Sequence, residues 1–196
     1  MRQIKKILTL LLKRLEITSA IAVRLTKITG KAKQPIHPKH LVDKRTWFTN
    51  YLQKLDAVLD LGCGNGQHTR KVSTFVKTIV GVDYDEKSLN IAKKTTRFKN
   101  VTFKRLNLEE KLPFNDSTFD KVILLDVLEH LRNRKQIIDE IKRVLKRNSL
   151  LFISVPNSET SWKKQQREVG ICSFSDPDHE IEYSEKQIRD LLKNNH

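Results

Sequence analysis

One stretch, Ala57-Val58-Leu59-Asp60-Leu61-Gly62-Cys63-Gly64-Asn65-Gly66, limits what this chain can fold into more than any other. An apolar run ends in an acid, glycines alternate at 62, 64 and 66, and helix-compatible Gln67-His68-Thr69 follows. A buried strand, a tight turn and a helix start in that order form the nucleotide-cradling corner of a doubly wound α/β domain. A packed turn of this kind places its ligand beyond the carboxyl end of the strand.

Charge narrows the ligand. A dinucleotide fingerprint has glycines at its first, third and sixth positions, and the sixth position here is Gln67. That fingerprint also sets a pyrophosphate on the turn and helix start, where the carboxylate of Asp60 would repel it. No Gly-Lys-Ser/Thr follows, which excludes a Walker loop. S-adenosylmethionine (SAM) carries no phosphate and bears a sulfonium and an ammonium, so an acid at the strand end suits it.

At 196 residues the chain has room for one domain with a real core. Its negative mean hydropathy argues for a soluble protein. Two cysteines, Cys63 and Cys172, give neither a disulfide framework nor zinc spacing, which fits a reducing, cytoplasmic setting. The net charge of +15 is unevenly spread: residues 1–47 hold twelve Lys/Arg against Glu16 and Asp43. Within them Ile4, Ile7, Leu8, Leu11, Leu12 and Leu15 form a helical stripe, with Arg2, Lys5, Lys6, Lys13, Arg24 and Lys27 opposite if the helix runs to 28. The apolar run 7–12 is too short to span a bilayer, and no signal-peptide cleavage pattern follows it. Residues 1–47 are therefore expected to be a basic amphipathic extension. Three roles stay open for it: a lid capping the 48–196 domain, a peripheral membrane contact through residues 1–28, or a nucleic-acid contact.

Beyond a polar linker at 30–38, a short helix is expected over 39–53. Strands are expected at 56–61, 78–83, 101–106, 119–125 and 149–155, and helices at 66–75, 86–97, 133–146 and 184–193. Alternation of this kind implies a mostly parallel sheet with right-handed crossovers. Asp83 closes the second strand and Tyr84 follows it; the Asp83 carboxylate is placed to accept both ribose hydroxyls, while Asp85 serves equally well as the helix N-cap. After the third strand, Asn107 is positioned to meet an adenine amino group and Leu108 to pack on the ring. An Asn there is also a common turn residue. The fourth strand delivers Asp126, Glu129 and His130 to its carboxyl end.

Together these motifs resemble the class I SAM-dependent methyltransferases, whose domain is Rossmann-like. The Asp-x-Gly-x-Gly-x-Gly turn, the acid after strand two and Leu128-Glu129-His130 after strand four carry the resemblance over about residues 50–192. It implies methyl transfer from SAM, with Asp60, Gly62, Cys63, Gly64, Gly66, Asp83, Tyr84, Asn107, Leu108 and Asp126 around the cofactor. Three departures stand out. Lys146-Arg147-Asn148-Ser149 replaces a Lys-Pro-Gly-Gly turn, and Asn148 tolerates the left-handed backbone that turn needs. Asn107 stands where relatives carry an acid. The family's terminal strands are missing, which leaves a five-stranded sheet or a fragment, with strand five as an exposed edge.

Ubiquinone-type O-methyltransferases and small-RNA 2′-O-methyltransferases carry an acid-x-x-Glu-His cluster that holds a divalent metal. Asp126, Glu129 and His130 match it, and Asp176-Pro177-Asp178-His179 supplies a second histidine. The same Leu-Glu-His orders the turn in many relatives without a metal, so the reading taken is a metal-free site, with His130 or His179 as general base or with catalysis by positioning alone, and the metal is its alternative. No Asn/Asp-Pro-Pro-Tyr follows strand four and no Pro-Cys nucleophile is present. An oxygen on a small-molecule, sugar or lipid-linked acceptor is the resulting expectation. RNA 2′-O-methylation and a non-catalytic SAM-binding module are the alternatives, with an NAD oxidoreductase behind them. Trp47 and Trp162 fall in segments expected to cover the site.

Overall fold

The computed structural model describes Arg14 and residues 47–168, 174–176 and 178–193. The expected helix through 28, the linker at 30–38, residues 39–46, Cys172 and Pro177 lie outside them. Two compact units are distinguished: Phe48–Ser158 with Phe174–His196, and Met1–Trp47 with Glu159–Ser173. In the second, the described element is a helix at Ser161–Glu168, which periodicity did not foresee because Trp162 is its one apolar residue. No helix among the described residues is long and apolar enough to cross a membrane.

The larger unit holds β1 (Ala57–Leu61), α1 (Gln67–Val72), β2 (Thr78–Asp83), α2 (Glu86–Thr95), β3 (Val101–Arg105), β4 (Phe119–Leu125), α3 (Arg134–Val144) and β5 (Leu145–Ser154). The Ser161–Glu168 helix of the other unit is α4, and α5 (Glu185–Lys193) closes the described chain. All strand pairs are parallel, in the order β3-β2-β1-β4-β5. The chain winds outward from β1 to β3 and then returns to the other side of β1 as β4. That reversal opens a crevice beyond the carboxyl ends of β1 and β4.

Both faces of the central strands β1, β2 and β4 are largely buried, so these read as nearly continuous apolar runs. Leu59, Leu61, Val82, Val122 and Leu124 meet Ile137, Ile138, Ile141 and Val144, the apolar stripe of α3, on one face. Val58, Ile79, Ile123 and Phe152 meet Phe48, Val72 and Val76 on the other. Ile188, Leu191 and Leu192 of α5 pack against the first core. Asp85 caps α2 by accepting from the N–H groups of Lys87 and Ser88, and Asn133 caps α3 through Gln136 N–H.

The helices expected over 66–75 and 86–97 end early, at Val72 and Thr95, and two other boundaries differ more. The helix expected over 133–146 stops at Val144 and β5 begins at once at Leu145, not at 149. Leu145 pairs with Phe119 and Leu150 with Lys121, and the bulge between them places Asn148 at φ 60°. Tertiary pairing thus overrides helical propensity, and Asn148 supplies the left-handed residue in place of glycine. The helix expected to reach 53 is, among the described residues, one 3-10 turn at Thr49–Tyr51. Asp56 Oδ2 accepts from Gln53 N–H at 2.8 Å and draws the backbone out of helical hydrogen bonding.

Candidate active site

The glycine turn holds three left-handed residues, Gly62 at φ 73°, Gly64 at 52° and Gly66 at 74°. The N–H groups of Gly62 and Cys63 both donate to Val82 O, at 2.8 and 2.9 Å, which ties the turn to the neighbouring strand. A Cβ on Gly62 would run into the Val127 side chain, so the two loops beyond β1 and β4 touch where only glycine fits. Gly64 faces open space.

Below the turn Asp60 is buried and accepts a 2.6 Å hydrogen bond from Thr69 Oγ1. Burial pushes its carboxyl up to about 7; the Thr69 bond opposes that and the nearby Asp83 charge adds to it. Burial, with Asp60 and Asp83 nearby, also pushes the Cys63 thiol up, which makes it an inert small packing residue. Asp83 accepts from Gly64 N–H at 2.7 Å with one oxygen and from Asp85 N–H at 2.9 Å with the other. Each oxygen keeps a further lone pair for a ligand. Because Asp85 does the capping, Asp83 is left to the crevice.

A cavity of about 720 Å³ lies over these strand ends, lined by Gly62, Asp83, Tyr84, Asn107, Leu108, Glu109, Asp126, Val127, His130, Leu131 and Asp178. Seven of the residues expected at the site therefore meet there: Gly62, Asp83, Tyr84, Asn107, Leu108, Asp126 and His130. Asp60, Cys63, Gly64, Gly66, Glu129 and His179 are not part of this lining. Among the described residues of the wall, the charged side chains are the carboxylates of Asp83, Glu109, Asp126 and Asp178. An acidic hollow on a chain of net charge +15 favours a cationic ligand.

Asn107 uses its side chain within its own loop. Its Oδ1 accepts from Glu109 N–H at 3.1 Å and its Nδ2 donates to Glu110 Oε1 at 3.0 Å. Glu109, which no sequence pattern singled out, accepts from the N–H groups of Arg132 (2.6 Å) and Asn133 (3.0 Å). Its carboxylate thereby joins the loop after β3 to the loop after β4 across the cavity.

The acid-base residues divide into two places. Asp126 sits at the tip of β4 at φ 53°, with its Oδ1 accepting from Ser154 Oγ at 2.9 Å on β5. Glu129, His130 and His179 come together instead, their ligand atoms all within 4.8 Å of one another. The two imidazoles meet edge to face at 4.8 Å. His130 Nδ1 lies 3.1 Å from Asp178 O, so Nδ1 carries the hydrogen and Nε2 of the neutral ring keeps its lone pair. His179 is buried, with Nδ1 2.9 Å from Glu182 Oε1 and Nε2 4.0 Å from Glu129 Oε1. Glu182 also escaped the sequence reading; only its spacing of three from His179, in a segment without helical periodicity, hinted at it. As a set, one carboxylate and two imidazoles, with Glu182 orienting His179, fit the donor chemistry of a divalent metal.

The comparisons give the family and the fold. The family model described as a methyltransferase domain matches residues 52–195. A probable S-adenosylmethionine-dependent methyltransferase of Mycobacterium tuberculosis is 35% identical over 103 residues, covering 53% of this chain and 36% of that protein. The mitochondrial ubiquinone biosynthesis O-methyltransferase of Rattus norvegicus is 34% identical over 105 residues, covering 51% and 30%. The match thus spans about a third of the length of these relatives. A SAM-dependent methyltransferase structure from Aquifex aeolicus shares the fold, with a TM-score of 0.63 at 23% identity over 79% of each chain. The chain belongs to the methyltransferase domain family, with a class I fold and SAM as the family's cofactor.

Proposed function

We propose that this chain transfers a methyl group from SAM to an oxygen of a small-molecule, sugar or lipid-linked acceptor. The observation that carries the reading is the acidic cavity: the charged side chains of its described lining are all carboxylates, at the end of a sheet where this fold holds its ligand. SAM, when bound, supplies a methyl carbon on a positively charged sulfur, open to in-line displacement. Asp60 faces the ammonium end through the glycine turn, Asp83 holds the ribose hydroxyls, and Tyr84 and Leu108 flank the base. Asn107 reaches the adenine only through whatever capacity its own turn leaves. Because Nδ1 of His130 is held by Asp178 O, its Nε2 takes the acceptor's proton as the new O–C bond forms and the S–C bond breaks. Asp126, fixed by Ser154, bounds the acceptor side, and Glu129 and His179 support His130 from behind.

A second reading rests on the cluster itself. Glu129, His130 and His179 would hold a divalent ion that lowers the pKa of the acceptor hydroxyl, and Glu182 would fix the liganding tautomer of His179. Loss of turnover on chelation, restored by magnesium, supports that version; chelator-resistant turnover rules it out.

Residues 1–47 are proposed as a lid over the 48–196 domain or a membrane-surface anchor, in a cytoplasmic setting. The acceptor is tested by incubating the full chain with methyl-labelled SAM and cell extract. Label in small molecules or lipids is expected; label in RNA alone would replace this reading with RNA 2′-O-methylation. SAM binding with no transfer to any fraction would leave a non-catalytic module.

A further inference from the structure

At the end of the sheet opposite the cavity, three loops are laced together. The N–H groups of Lys77 and Thr78 donate to Asp56 O, at 3.0 and 3.3 Å. Asn100 Nδ2 donates to Ser73 O at 2.8 Å and Val76 O at 3.1 Å, and Ile79 N–H donates to Asn100 O at 2.9 Å. Neighbouring strands run about 4.8 Å apart, so the loops entering β1, β2 and β3 share an end about 10 Å across. Each loop exposes one large apolar side chain: Leu55 is 81% exposed, Phe75 44% and Phe98 45%.

Cations flank each of them. Lys54, Lys77, Arg97 and Lys99 are exposed, and none has an acidic partner among the described residues. The single acid of these loops, Asp56, is buried and lies 3.7 Å from Lys121 Nζ. The segments 61–82 and 87–108 contain no Asp or Glu at all. A lone exposed hydrophobe is ordinary, but three on one end of a sheet, each beside a cation, are not.

We propose that this end of the sheet docks on an anionic bilayer. Both features are satisfied there: the ammonium and guanidinium groups meet lipid phosphates, and Leu55, Phe75 and Phe98 enter the boundary between headgroups and acyl chains. A nucleic acid would pair the cations and leave Leu55 in water. The six residues of β2 span about 20 Å, so the cavity mouth stays clear of the docked face. Its residues are other than those of the basic stripe in 1–28, and it does not depend on the choice of acceptor.

Cosedimentation of the full chain tests it, with vesicles of phosphatidylcholine alone or with about a third phosphatidylglycerol. The chain is expected to partition onto the anionic vesicles only. Two triple variants, Leu55→Ala/Phe75→Ala/Phe98→Ala and Lys54→Glu/Lys77→Glu/Lys99→Glu, should each lose at least about tenfold in partition. Both should keep the melting temperature and the SAM affinity of the unaltered chain. The proposal is overturned if either folded variant partitions like the unaltered chain, which would put binding in residues 1–28. It is overturned equally if the vesicles bind nothing, or if both variants lose RNA retention while vesicle binding stays the same.

Discussion

Nδ1 of His179 lies 2.9 Å from Oε1 of Glu182, and both side chains are buried. Glu182 Oε1 also accepts from Ser175 N–H at 2.6 Å, so one oxygen fixes both the imidazole and the segment that delivers it. Glu182→Ala should leave the ring free to turn. We expect kcat to fall about tenfold with SAM affinity unchanged, and stability to drop by roughly 1–3 kcal/mol. A pH–rate profile distinguishes positioning from packing: only a positioning role moves its acid limb, and Glu182→Asp should restore part of it.

Asp60 is a prediction about pH and about a conflict between stability and binding. Burial pushes its carboxyl up to about 7 from an ordinary 3.8, so between those values the folded state holds a proton that the unfolded chain has lost. Stability from this group is therefore lost as pH rises from about 4 to 7 and levels off above that. Asp60→Asn should stabilise the ligand-free protein at pH 8 by roughly 2–4 kcal/mol. The same change should weaken SAM binding, and in the unaltered chain SAM affinity should fall as pH drops below about 7. Melts at pH 5 and pH 8, with titrations at both, check the three statements together.

Glu109 holds the cavity's two loops at a fixed separation. Glu109→Ala removes the acceptor of Arg132 and Asn133 N–H groups, both at exposed positions, so the loss in stability should be about 1 kcal/mol or less. The larger effect should be on the cavity. Hydrogen exchange at Arg132 and Asn133 should speed up, and SAM affinity should fall severalfold. Unchanged exchange at those two amides would show that the bridge is incidental.

Gly62→Ala meets two obstacles, a φ of 73° and the Val127 side chain. The left-handed backbone costs about 1–2 kcal/mol and the overlap about 1–3 kcal/mol more. Adding Val127→Ala should remove the second cost and keep the first. The double variant should melt above Gly62→Ala and below Val127→Ala. Equal melting of the two Gly62 variants would mean that the loops do not touch as described.

What could be read from the sequence is local, and what could not is tertiary. The Asp60–Gly66 turn was legible because alternating glycines admit few backbones. The competition between Asp83 and Asp85 was legible too, and the structure gives the cap to Asp85. Asn148 is legible as a stand-in for glycine because Asn tolerates positive φ. The start of β5 was not legible, since Leu145 leaves the helix only to pair with Phe119. Neither were Glu109 and Glu182, whose partners lie in loops that the fold brings together. For Asn107, the base contact and the turn role were both written in one residue, and its side-chain bonds run within its own loop.

Isothermal titration of the full chain with SAM, with NADH as the control, tests the central claim most directly. A cationic, phosphate-free ligand in an acidic cavity predicts saturable SAM binding, weakened at least about tenfold by Asp83→Asn, and no heat from NADH. NADH binding, or a SAM titration that stays flat into the high micromolar range, would contradict it.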